Sequence, residues 1–176
     1  ERNGKQEGME DGTFVKTIIV QNMRMEQMKE RWLSLAKVRQ QDYEQHNIDI
    51  SETLRQLLTE YNLETEYSQL KLNSRIDDAV TVCSNPEAIY LIFSNLISNA
   101  MKYSADGQIT LSLLAEGAGA VFQIENAVSG NGTIDPHKIW EPFYVAEQSR
   151  NREISGTGLG LSIVKAVCER NGIGYG

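Results

Sequence analysis

Basic residues are in short supply: Lys and Arg number 17 against 24 Asp and Glu, for a formal net charge of −7. A general nucleic-acid binder carries a basic face, so this balance argues against that class. The two cysteines, Cys83 and Cys168, stand far apart in apolar runs and without metal-ligand spacing. They read as reduced packing residues rather than a disulfide framework or a thiolate metal site. No apolar run approaches the ~18 residues that span a bilayer, and no signal-peptide pattern opens the chain. The chain is expected to be soluble as it stands. There are also no repeats and no low-complexity tract. What is present suffices for a core: 40% hydrophobic and 23% charged residues over 176 positions fit one compact domain plus a helical appendage.

Residues 1–12 are polar and glycine-containing and read as a loop or disordered segment. Over 14–41 the pattern turns helical. Ile18, Met25 and Trp32 recur every seven residues, as do Phe14, Gln21, Met28 and Leu35, which gives a heptad stripe interrupted by Gln21. Such a stripe packs either on its own domain or on a partner chain. Residues 47–50 suggest a short strand, with Ser51 as the N-cap of a helix carrying Leu54, Leu57, Leu58 and Tyr61 and ending near Asn62. Leu70, Leu72 and Ile76 alternate as in a strand, and residues 80–83 read as another. Asn85-Pro86 predicts an N-cap followed by proline at the first helical position. The helix behind it is strongly apolar, with Ile89, Ile92, Phe93, Leu96, Ile97 and Ala100. Residues 108–114 and 120–125 alternate as two strands around Gly117-Ala118-Gly119, a hairpin signal. The expected fold class is α+β, with mixed strands on one side and helices on the other.

Two stretches look chemical. Gly156-Thr157-Gly158-Leu159-Gly160-Leu161 places three glycines at alternate positions before an apolar helix. Glycines there let the backbone approach a ligand closely, and the helix N-terminus behind them suits a phosphate. The same run read alone also fits a flexible turn. Asn95 and Asn99 lie four apart on one face of the apolar helix, and Lys102-Tyr103 follow where it runs out. Buried carboxamides require partners. These two are either core asparagines bonded to loop backbone or oxygen donors for a hydrated Mg²⁺, an ion that takes few protein oxygens plus waters and phosphates.

Asn95-Leu96-Ile97-Ser98-Asn99-Ala100-Met101-Lys102-Tyr103-Ser104 resembles the asparagine box of bacterial sensor histidine kinases. Trp140-Glu141-Pro142-Phe143-Tyr144 is similar to their phenylalanine box. Gly156-Thr157-Gly158-Leu159-Gly160-Leu161-Ser162-Ile163-Val164-Lys165 is similar to their second glycine box. The three come in the family's order. Residues 13–45 resemble, more loosely, the second helix of the dimerisation and phosphotransfer hairpin with its linker. The resemblance implies a Bergerat-type two-layer α/β sandwich over 46–176, short of its last strand, preceded by a long amphipathic helix. It implies ATP and Mg²⁺ as ligands, with Asn99 holding the metal and Asn95 helping to position it. Lys102 would meet the phosphates, and Tyr103 would sit by the nucleotide. Gly156, Thr157, Gly158, Leu159, Gly160 and Leu161 would cradle the phosphates. Residues 145–155 would form a lid from which Arg150 or Arg152 reaches the γ-phosphate. These residues would position groups and neutralise charge, which is most of what phosphoryl transfer asks of a protein.

The chain departs from the family's pattern twice. The family's adenine-binding Asp-x-Gly-x-Gly falls, by its spacing of seventeen residues before Phe143, on Asn126, with Gly130 at the second glycine and Val128 in place of the first. An asparagine oxygen still accepts from an adenine N–H, without the charge assistance of a carboxylate. The phosphoacceptor histidine is also missing. His46 lies in a linker and His137 beside the phenylalanine box, and neither has the acidic follower of an acceptor. The expectation is therefore a fragment of a longer membrane-anchored receptor, its cytoplasmic portion. It would transfer phosphate to a histidine supplied elsewhere, form a homodimer through the hairpin helix and serve a response regulator. Two alternatives stay open: a degenerate pseudokinase acting through dimerisation, and a related ATPase or serine kinase of the same fold.

Overall fold

The computed structural model describes residues 44–68, 70–129, 134–145 and 157–176, together with Asn22, Met25, Glu26, Lys29, Leu33 and Ala36. Those six early residues are helical and exposed. The rest of the heptad stripe, and residues 1–12, lie outside the described residues. Strand β1 (His46–Asp49) leads into helix α1 (Ile50–Ser68), followed by β2 (Lys71–Ile76), β3 (Thr81–Ser84) and α2 (Pro86–Tyr103). The hairpin β4 (Gln108–Glu116) and β5 (Gly119–Asn126) comes next, then a 3-10 turn (Lys138–Trp140) and α3 (Gly160–Asn171).

Strand β4 is the centre of a three-stranded mixed sheet, parallel to β2 and antiparallel to β5. Strands β1 and β3 form a separate antiparallel pair. Period-2 alternation sets which face is buried. Ile109, Leu111 and Leu113 of β4 are fully buried, while Thr110 and Ser112 between them are exposed and half-buried respectively. The register brings Leu72 and Ile76 of β2, and Phe122 and Ile124 of β5, beside that apolar row. One face of the sheet is therefore apolar, and the helices cover it. This is the expected α+β arrangement of mixed sheet and helices.

The core between the layers joins Leu54, Leu57 and Leu58 of α1, Ile89, Ile92, Phe93 and Ile97 of α2, and Ile163, Val164 and Val167 of α3. Phe93 and Phe122 meet with ring centroids 4.6 Å apart, which locks α2 onto β5. Each such fully buried side chain contributes about 1.5–3 kcal/mol relative to exposure.

Helix α2 begins as its sequence predicts. The Asn85 side chain accepts from the Ala88 N–H at 3.0 Å, and Pro86 occupies the first turn, where its missing N–H costs nothing. Helix α1 differs from expectation. Its cap is Asp49, whose Oδ1 accepts from the Ser51 N–H at 2.9 Å and the Glu52 N–H at 3.2 Å. Ser51 is instead buried, and its Oγ accepts from the Val80 N–H at 3.0 Å, while Ile50 N–H donates to the Val80 carbonyl at 3.0 Å. The hydroxyl that looks like a cap ties the helix to the approach of β3. The helix also continues past Asn62 to Ser68.

Candidate functional site

Helical spacing places Asn95, Asn99 and Lys102 on one side of α2, away from the stripe of Ile89, Ile92, Phe93 and Ile97 that enters the core. Asn95 Nδ2 donates to the Leu91 carbonyl at 2.8 Å, which leaves its Oδ1 uncommitted. The half-buried Asn99 amide makes no hydrogen bond among the described residues. Its amide atoms lie open at the cavity wall, where water or a ligand can complete their hydrogen bonds.

Facing these amides is the N-terminus of α3. Leu159 stands at its N-cap without any side-chain cap, and no acidic residue occupies the first turn. The Ser162 hydroxyl does not cap either, because it donates back to the Leu159 carbonyl at 2.9 Å. The first N–H groups of the helix and its positive end are therefore available to an anion. Gly160 brings the two features together. A Cβ at that position would lie 3.1 Å from both Nδ2 and Oδ1 of Asn99 and 3.4 Å from Asn95 Oδ1. The helix start can meet the amide pair this closely because residue 160 has no side chain.

The segment before α3 is held by a backbone clasp. Phe143 N–H donates to the Gly158 carbonyl at 2.8 Å. Ahead of it, Asp135 Oδ1 accepts from the His137 N–H at 3.0 Å and opens the 3-10 turn that carries Trp140. At the far end of α2, Ser104 N–H donates to the Ala100 carbonyl and closes the helix. Ala105 N–H then donates to the Ala127 carbonyl at 2.8 Å, tying the turn after Tyr103 to the residue after Asn126.

A cavity of about 1430 Å³ opens between these elements. Among the residues singled out from the sequence, Asn99, Lys102, Tyr103, Asn126, Thr157, Gly158, Gly160 and Leu161 line it. Asn95 stands behind Asn99 against Gly160. Leu159 is fully buried in the core, so only its backbone faces the site. Lys102 is exposed, with its ammonium 5.4 Å from the Tyr103 ring centroid, within cation–π reach. Gly130, Arg150, Arg152 and Gly156 lie outside the described residues. His46 and His137 are both exposed. Val128, which stands in place of a motif glycine, also lines the cavity, and the apolar lining by Ile134 and Ile139 carried no signal beyond ordinary hydrophobicity. A lysine, uncapped helix N–H groups and free amide oxygens, together with apolar walls, suit a nucleotide: charge at one end and a flat apolar body at the other.

Residues 84–175 match the model of the histidine kinase-, DNA gyrase B- and HSP90-like ATPase family. The chain belongs to that family. Within it, the similarity is to sensor histidine kinases. Sensor histidine kinase YcbM of Bacillus subtilis is 35% identical over 97 residues, covering 54% of this chain and 31% of that protein. Sensor protein CutS of Streptomyces coelicolor is 28% identical over 159 residues, covering 89% of this chain and 38% of that protein. The chain thus spans roughly a third of each of these two relatives. Among solved structures, the Acinetobacter baumannii histidine kinase AdeS superposes with a TM-score of 0.67 at 22% identity, covering 95% of this chain and 81% of that one. Full-length ShkA in complex with AMPPNP gives a TM-score of 0.69 at 19% identity, covering 92% of this chain and 34% of that one. These superpositions establish the same fold. Residues 84–175 thus form a domain of this ATPase family, similar to that of sensor histidine kinases.

Proposed function

We propose that residues 46–176 form the catalytic portion of a sensor histidine kinase, moving the γ-phosphoryl group of ATP to a histidine that neither His46 nor His137 supplies, for relay to a response regulator. The observation that carries this reading is the Asn99 amide, unpartnered among the described residues, set against the uncapped N-terminus of α3 across Gly160. Asn99 supplies a hard oxygen, the donor type Mg²⁺ prefers, so the residues present fit that ion. The ion, when bound, neutralises charge on the phosphates. Asn95, already bonded to the Leu91 carbonyl, keeps Asn99's neighbourhood polar and fixed in direction. Lys102 adds a mobile positive charge, and the α3 N–H groups bind phosphate oxygens without reorganising. Arg150 or Arg152 would complete the charge around the γ-phosphate. Residues 13–45 would contribute the second helix of a dimerisation and phosphotransfer hairpin, and the whole would work on the cytoplasmic side of a bacterial membrane. No described helix is long and apolar enough to cross a membrane itself.

Calorimetric titration with a non-hydrolysable ATP analogue, with and without Mg²⁺, tests the reading. Magnesium-dependent binding that Asn99→Ala removes without unfolding the chain is the expected result. A folded chain that binds no nucleotide would favour a scaffold that acts through dimerisation.

A further inference from the structure

We infer that this site discriminates weakly at the 6-position of a purine, accepting 6-amino and 6-keto nucleotides alike, with Asn126 as the specificity-determining residue. The inference rests on the nucleotide reading above. Asn126 closes β5 opposite Ile109, which puts it on the sheet face turned toward the helices. It lines the same cavity as Asn99 and Lys102, together with the apolar Val128, Ile134 and Ile139. A carboxylate could read the edge of a base there, but Asp135, the acidic residue lining the cavity among the described residues, is otherwise engaged. Its Oδ1 accepts the His137 N–H, and its Oδ2 lies 3.9 Å from Lys138 Nζ.

Recognition of the base edge then falls to a neutral amide. An ionised carboxylate only accepts hydrogen bonds, so it welcomes a 6-amino group and repels a 6-keto oxygen, whereas an amide both accepts and donates. As it stands, Asn126 Nδ2 donates to the Ala127 carbonyl at 3.2 Å, and Oδ1 has no partner among the described residues, which suits an amino group. The Ala127 carbonyl also accepts the Ala105 N–H at 2.8 Å. Swinging the side chain off Ala127 therefore does not strand that carbonyl, and Nδ2 becomes available to a keto oxygen. Both purine types find a partner, the keto type at the loss of one hydrogen bond of 3.2 Å.

The test is calorimetric titration of the full 176-residue chain with ADP and with IDP, which differ at the 6-position, in Mg²⁺. The expected dissociation constants lie within about thirtyfold of each other, and Asn126→Asp widens that ratio in favour of ADP. If IDP binds the unsubstituted chain more than about thirtyfold more weakly than ADP, the inference is overturned while the nucleotide reading stands. A folded Asn126→Asp chain with an unchanged ratio removes Asn126 as the determinant. If that variant does not fold, the ratio for the unsubstituted chain decides. Binding of neither diphosphate to folded chain sinks the nucleotide reading itself.

Discussion

Phe143 and Gly158 are bound backbone to backbone at 2.8 Å, and both adopt left-handed φ, 66° and 67°. Phe143 of the aromatic segment thus holds Gly158, one residue before Leu159, the N-cap of α3. The two positions differ in tolerance. A Cβ on Gly158 would fall 2.7 Å from the Phe143 Cα and carbonyl carbon and 3.0 Å from the Tyr144 oxygen, so Gly158→Ala meets backbone that cannot step aside. We expect a cost of about 2 kcal/mol or more, read as a fall of roughly 5 °C in Tm. Phe143 carries the strain of a bulky residue at positive φ, and its side chain is 49% exposed. Phe143→Gly removes that strain along with the half of the side chain that is buried, so its loss of stability should be smaller than that of Gly158→Ala. Thermal denaturation of the pair checks the asymmetry. Equal losses would mean that the clasp is held by the Phe143 side chain.

Gly160→Ala separates ligand binding from stability. The added methyl group would press on both amide atoms of Asn99 at 3.1 Å and displace them by a few tenths of an ångström. Alanine also favours the helix by up to about 1 kcal/mol, which offsets part of the crowding. Expected outcomes are a Tm within a few degrees of the parent and a roughly tenfold loss of Mg-nucleotide affinity. Unchanged affinity would show that the position of Asn99 does not matter to the ligand.

Ser51 and Asp49 should rank against the order a capping pattern suggests. Ser51→Ala leaves the buried Val80 N–H without its acceptor, at about 1–3 kcal/mol. Asp49→Ala loses an exposed cap with two N–H partners, at about 1 kcal/mol. Urea denaturation of the two variants gives the ranking. A larger loss for Asp49→Ala would place the energy in the cap rather than in the tie to β3.

Much of this was legible in the sequence, for identifiable reasons. The β4–β5 hairpin was readable because alternation and the Gly117 turn are local signals, and Gly117 takes φ 58°. The start of α2 was readable because Asn85-Pro86 has few other uses. Grouping Asn99, Lys102 and Tyr103 near Gly158 and Gly160 depended on recognising three motifs in order, since no local rule brings residues sixty positions apart into one cavity. What stayed hidden was the choice between equivalent local partners. Ser51 and Asp49 are both good caps, and the tertiary contact with Val80 decides which one caps. Phe143 at positive φ was hidden as well, because nothing in a phenylalanine announces a left-handed backbone.

Cys168 gives the remaining prediction. It is 2% exposed on α3, and burial, assisted by the nearby Glu169 carboxylate, pushes its thiol up from 9.0 to about 11. Tyr175 is shifted the same way, chiefly because its hydroxyl is hydrogen-bonded to Glu169. In both groups the fold favours the neutral, protonated form. Their contribution to stability is therefore fully present below the ordinary pKa and is lost as pH rises through the folded value. Unfolding free energy should be level in this respect up to about pH 9 and fall toward pH 11. Cys168→Ala should flatten part of that fall. Thiol titration of the native chain near pH 8 should count the exposed Cys83, with Cys168 reacting only after denaturant is added. Two fast-reacting thiols in the native chain would mean that α3 opens readily, and the alkaline loss would then have to come from another group.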